Sequence, residues 1–142
     1  MNLNALRAQL IQDEGLRLKS YRDSVGKLTI GVGRNLDDVG ISESEALMML
    51  ENDIERACAD LDSKLPWWRG MSDARQEVLA NLCFNMGIGR SDPPHGLLSF
   101  RNTLAVMERG DYEAAANGMG ASKWATQVGV RATRLIEMMR KG

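Results

Sequence analysis

Residues 13–36 read DEGLRLKSYRDSVGKLTIGVGRNL, and within this stretch the hydrophobic period changes from helical to alternating. Upstream, Leu3, Leu6, Leu10 and Ile11 recur at helical spacing and Gly15 is a stop signal. The spacing predicts a helix over residues 3–14, with Glu14 as its last residue. Downstream, Leu28, Ile30 and Val32 alternate with Lys27, Thr29 and Gly31, a strand pattern, and Val25-Gly26 supplies a turn before it. Leu28, Ile30 and Val32 are expected to face a small core. Thr29 is expected to face the other way, toward the turn that carries Asp23. A helix end followed by a tight hairpin then aims Glu14, Asp23 and Thr29 at one point.

Helical signals dominate the rest. Ser42 and Glu45 form an S-x-x-E capping box ahead of a long helix with Leu47, Leu50, Ile54, Cys58 and Leu61 as its stripe, ended by Leu65-Pro66. A second helix starts near Ser72, buries Val78, Leu79, Leu82, Cys83 and Met86, and stops at Gly87. Residues 88–96, IGRSDPPHG, are full of breakers and read as an exposed loop. Helical pieces are predicted over 98–109, 112–117, 121–125 and 130–140, the last burying Leu135 and Met139. The fold class is α+β, mostly α. A small N-terminal hairpin lobe (about 13–45) and a connecting helix (about 46–64) precede a helical lobe (about 65–142 plus 1–12), all within one domain. Two lobes joined by a helix leave a cleft, a common place for a ligand.

Composition narrows the function classes. With 142 residues, 44% hydrophobic and 26% charged, the chain can bury a core. It has no apolar run long enough to span a bilayer and no signal-like N-terminus, so the reading is a cytoplasmic protein without membrane insertion. A net charge of −1 argues against nonspecific nucleic-acid binding. Toward the end, Lys123, Arg131, Arg134, Arg140 and Lys141 face only Glu137, a basic surface that suits a polyanionic substrate or is simply a solvated helix face. Cys58 and Cys83 lie on helical stripes and read as buried thiols rather than a disulfide. One histidine, His95, and no Cys/His cluster argue against zinc. Of Trp67 and Trp68, one is expected to pack and the other to be half exposed. Trp124 and the methionines, Met48, Met86, Met107 and Met139 among them, read as core.

Glycosidic bond cleavage uses two carboxyl groups on opposite sides of the scissile bond. A helix C-terminus carries partial negative charge and Asp13 adds another, which disfavours ionisation of Glu14, while Arg131, placed nearby, would pull the other way and fix the carboxyl's position. Glu14 and Asp23 could flank a sugar chain, with Thr29 hydrogen-bonding the water that Asp23 deprotonates. Each residue also has an ordinary structural use: a solvated helix end, a turn-forming aspartate, a threonine chosen for β propensity.

DEGLRLKSYRD followed by LTIGVGRNL resembles the phage lysozymes typified by the T4 enzyme, the endolysins of glycoside hydrolase family 24. The likeness continues through FNMG at 84–87, SFRNTL at 99–104, EAAAN at 113–117 and SKWATQVGVRATRLI at 122–136, covering nearly the whole chain in order. The run E-x8-D-x5-T in that setting is its most specific part. The resemblance implies a lysozyme-like fold and a monomeric muramidase. Its expected reaction is cleavage of β-1,4 bonds between N-acetylmuramic acid and N-acetylglucosamine in bacterial peptidoglycan, by inversion and without metal or cofactor. It implies Glu14 as general acid, Asp23 as second carboxylate, Thr29 as the water-holding threonine, and Arg131 as the glutamate's partner. Phe84, Thr103 (in place of a serine), Asn117 and, one register off, Leu36 match sugar-contacting positions. It further implies host lysis: cytoplasmic accumulation, then release to the periplasm through a holin lesion.

The sequence also departs from that family. Arg34 stands where the T4 enzyme has an ion-pairing histidine, the hairpin lobe is shorter, and RSDPPHG at 90–96 is inserted before LLSF. Two rival readings differ in chemistry. A lytic transglycosylase needs only the glutamate and leaves an anhydro end, and Asp23 and Thr29 speak against it. A noncatalytic wall-binding module or engineered scaffold would have no use for the intact trio.

Overall fold

A computed structural model describes residues 1–142. The chain forms seven α-helices, a three-stranded antiparallel sheet and a two-stranded one, so it is α+β and mostly α. It divides into two compact units, Met1–Met49 and Leu50–Gly142. This division groups the first helix with the strands, whereas the sequence reading assigns residues 1–12 to the helical lobe.

In the first unit, helix α1 (Leu3–Glu14) begins where Asn2 Oδ1 accepts the Ala5 N–H at 3.0 Å. It ends where Gly15, at φ 77°, turns the chain and donates its N–H to Ile11 O. Strands β1 (Arg17–Arg22), β2 (Leu28–Gly31) and β3 (Arg34–Asn35) lie in that order, so β2 is central. Thr29 stands opposite Tyr21 on one side and Asn35 on the other. This corrects the expected facing of the strand. Thr29 is the buried position, 3% exposed, while Leu28 and Ile30 are half-buried and Val32 lies past the strand at 38%. Alternation fixes which side chains share a face but not which face is covered. Here the larger cross-strand neighbours Tyr21 and Asn35 flank the threonine.

Helix α2 (Glu43–Lys64) starts at the expected capping box: Ser42 Oγ accepts from Glu45 N at 3.2 Å, and Glu45 Oε1 accepts from Ser42 N at 3.0 Å. Arg34 joins it, donating from Nη1 to Glu45 Oε1 at 2.9 Å and to Gly40 O at 3.2 Å. The arginine, then the Ser42 N–H and hydroxyl, hold the Glu45 carboxyl down to about 2. A carboxylate depressed in the fold contributes stability above its unfolded value, about 4.3. That contribution fades as pH falls toward 2. Glu45→Gln is therefore expected to melt below wild type at pH 7, with the gap closing between about pH 4.5 and 2; thermal melts of both proteins across that range test it.

The second unit holds the main core, where Leu61, Val78, Leu79, Leu97, Met107, Met119, Leu135 and Met139 are all essentially inaccessible. Each such leucine contributes about 2 kcal/mol by leaving water. The α2 stripe is buried only at Ala57 and Leu61, where it joins this core, while Leu47, Leu50 and Ile54 stay exposed. Met48 likewise is surface, not core filler. A 3₁₀ turn (Pro66–Gly70) buries Trp68, whose Nε1 donates to Asp62 Oδ1 at 2.7 Å, and leaves Trp67 half-buried. Helix α3 (Asp73–Met86) is capped by Ser72 and stopped by Gly87.

The expected loop at 88–96 is instead a small hairpin, β4 (Arg90–Ser91) with β5 (Pro94–His95). Its base is too tight for side chains: a Cβ on Gly89 would fall 1.8 Å from His95 O, and one on Gly96 2.8 Å from Gly87 O. Leu97 N and Leu98 N close it on Gly87 O and Ile88 O, both at 2.9 Å. A 3₁₀ turn (Leu97–Ser99) then delays α4 to Arg101–Glu108. Helices α5 (Tyr112–Gly120), α6 (Lys123–Val128) and α7 (Val130–Lys141) complete the unit. The basic end is partly neutralised, with Arg140 paired to Glu113 and Glu137. Both cysteines are free; burial pushes the Cys83 thiol up to about 11, the behaviour of a small hydrophobe.

Candidate active site

Glu14, Asp23 and Thr29 all belong to the first unit and are arranged around β2. Glu14, exposed at the end of α1, lies against the turn that follows the strand. A Cβ placed on Gly33, at φ 69°, would sit 3.0 Å from Glu14 Oε2. Only a glycine there lets the carboxyl rest on the backbone. Gly33 is not among the residues that spacing singles out, although the G-V-G run at 31–33 between two strands is its signal.

Asp23 is fixed at the opposite end of β2. Its Oδ1 accepts from Val25 N at 3.0 Å and Lys27 N at 2.8 Å, and its own N–H donates to Lys27 O at 2.9 Å. The turn-forming use of this aspartate is thus real, and it occupies one carboxylate oxygen only. Oδ2 has no partner in the chain and can take a proton. Thr29 is tied to the same peptide group, donating its hydroxyl proton to Lys27 O at 2.9 Å. With that proton committed, the Oγ1 lone pairs can only accept, as a water O–H requires. Lys27, absent from the predicted set, therefore positions both residues through its backbone. Gly33 and Lys27 bracket β2, whose four residues span about 10 Å at 3.3 Å per step.

The other predicted residues are dispersed. Leu36 follows β3 and donates its N–H to Leu28 O at 2.7 Å, which explains its position structurally. In the second unit, Phe84 and Arg131 line one open groove with Leu50, Ile54 and Ala80. Phe84 is 46% exposed, an unpartnered ring on a helix surface. Arg131 is held on Asn81, whose Oδ1 accepts from Nε at 3.0 Å and Nη2 at 2.6 Å. The expected partner was Glu14; within its own unit it is this asparagine, fifty residues away in sequence and unmarked there. Thr103 lies at the contact between α4 and α5, where its Oγ1 fills the space beside Gly118. Asn117 Oδ1 accepts from Arg140 Nη2 at 3.4 Å. Three or more metal-ligating side chains gather nowhere in the chain.

An exposed acid at a helix end and a second carboxylate beyond the other end of β2, tied through Lys27 to a threonine hydroxyl, are residue types that glycosidases use. A family model of phage lysozymes matches residues 11–141, and the chain belongs to that family. It is 29% identical over 170 aligned residues to the pre-baseplate central spike protein Gp5 of Enterobacteria phage T4, covering 99% of this chain and 28% of that protein. It is 25% identical over 171 residues to a probable T4-type lysozyme of Dictyostelium discoideum, covering 99% and 96% respectively. An endolysin of a phage of the Acyrthosiphon pisum secondary endosymbiont is 31% identical over 109 residues, 72% of this chain and 66% of the relative. The chain thus spans under a third of the spike protein and nearly all of the Dictyostelium lysozyme.

Proposed function

We propose that the protein is a muramidase that hydrolyses the β-1,4 bond between N-acetylmuramic acid and N-acetylglucosamine in bacterial peptidoglycan. The observation that carries this reading is the disposition of Glu14, Asp23 and Thr29 around β2 in a member of the phage lysozyme family.

Glu14 gives its proton to the glycosidic oxygen as the bond to the anomeric carbon breaks. A water accepted on by Thr29 attacks that carbon, and Asp23 Oδ2 takes the water's proton. One water is consumed. The protons on the two carboxyls are reset by exchange with solvent. Likeness to the phage lysozymes supports inversion through a single displacement rather than a covalent intermediate. Arg131, if brought to Glu14, would orient the carboxyl, and Phe84, Thr103 and Asn117 would line the sugar path. No helix is long and apolar enough to cross a membrane. In lysis from within, we propose that the wall is reached through a holin-made lesion.

The products test the mechanism. Digested peptidoglycan is expected to yield muropeptides ending in reducing N-acetylmuramic acid, read by mass spectrometry before and after borohydride reduction. Anhydro ends as the main product, lighter by one water and inert to borohydride, would replace hydrolysis by transglycosylation.

A further inference from the structure

The peptide group that joins Lys27 to Leu28 is gripped at both ends. Its carbonyl, Lys27 O, accepts from Asp23 N and from the Thr29 hydroxyl, both at 2.9 Å. Its N–H, on Leu28, donates to Asp37 Oδ2 at 2.8 Å. Asp37 is exposed and joins no ion pair, and this is the hydrogen bond its carboxylate makes.

A side chain stands here where a strand would continue. Strands β2 and β3 pair Thr29 with Asn35 and Ile30 with Arg34, so the next rung would set Leu28 against Leu36. Half of that rung forms, with Leu36 N donating to Leu28 O at 2.7 Å. The Leu28 N–H goes to the Asp37 carboxylate instead. The turn after β3 holds Asp37 in place. Asp38 N donates to Asn35 Oδ1 at 2.9 Å, Asn35 Nδ2 donates to Asp38 Oδ2 at 3.0 Å, and Lys27 Nζ pairs with Asp38 Oδ1 at 3.1 Å.

A hydrogen bond to an ionised acceptor is roughly twice as strong as one between neutral groups. Hydrogen bonds in a chain also polarise one another, so an anion on the N–H end makes the carbonyl of the same amide a better acceptor. That carbonyl is where the Thr29 proton is spent. Only while the proton stays there does Oγ1 present lone pairs alone to a water.

Resting on the muramidase reading, we infer that Asp37 is a positioning residue of the reaction: through the Lys27–Leu28 peptide it fixes the Thr29 hydroxyl, and so the water that attacks the sugar.

Reducing ends released from soluble, uncrosslinked peptidoglycan strands separate kcat from KM. Asp37→Ala is expected to lower kcat about tenfold, less than the hundredfold that a 1 Å misplacement costs, and to leave KM within about twofold. Asp37→Asn keeps an oxygen for the Leu28 N–H and is expected to recover most of the rate. In a Thr29→Val background no hydroxyl proton remains to be held, and Asp37→Ala is expected to cost about twofold or less. An unchanged kcat in Asp37→Ala, a loss that falls on KM instead, or the full tenfold loss in the Thr29→Val background would overturn the inference. A wild-type protein that releases no reducing ends removes the muramidase reading and this inference together. One that does, beside an equally fast Asp37→Ala, removes this inference alone.

Discussion

Glu14→Gln is expected to clear chloroform-treated Gram-negative cells at between about a hundredth and a ten-thousandth of the wild-type rate, the range of a lost general acid. The amide is nearly isosteric and keeps the contact with Gly33, but it has no acidic proton to give the leaving sugar. The fold should not notice. Glu14 is exposed, ends its helix, and makes no hydrogen bond or ion pair that the substitution would break. Equal melting curves with unequal turbidity decay would assign the loss to chemistry. Clearance near the wild-type rate would falsify the assignment of the acid and, with it, the muramidase mechanism.

Asp23 carries two tasks, and a pair of substitutions separates them. Asp23→Asn keeps an oxygen where Oδ1 accepts from Val25 N and Lys27 N, so the turn survives. Its activity is expected to drop by about a hundredfold or more, because the amide cannot take a proton from water. Asp23→Ala should lose as much activity and also the two turn hydrogen bonds, about 1–2 kcal/mol. For a chain of this length that lowers the melting point by roughly 3–6 °C. Full activity in Asp23→Asn, measured in the same turbidity assay, would reduce the mechanism to a single acid.

Two partnerships explain where the departures from the family pattern lead. Arg34, one of the positions where the resemblance breaks, reaches Glu45 and Gly40 O and so ties the turn after β3 to the start of α2. The inserted RSDPPHG folds as a hairpin because Gly89 and Gly96 allow two backbones to pass where any Cβ would collide. The breakers in this stretch predict only exposure. Breakers report that the regular period stops, while strand pairing depends on what stands across the gap.

Much was legible from residue order because it is enforced locally. The end of α1 at Glu14, the Ser42–Glu45 capping box, the stop at Gly87 and the switch to alternation at Leu28 each depend on dihedrals or hydrogen bonds within about four residues. The trio Glu14, Asp23 and Thr29 was named on spacing and resemblance, and its placement around one strand follows from that same local hairpin. Tertiary structure decided the rest. It buried Thr29 rather than Leu28 and Ile30, put Gly33 under the Glu14 carboxyl, and gave Arg131 to Asn81 across fifty residues of chain. Periodicity says which side chains travel together. Which face is covered, and which polar group a long side chain reaches, is set by the elements that come to lie against it.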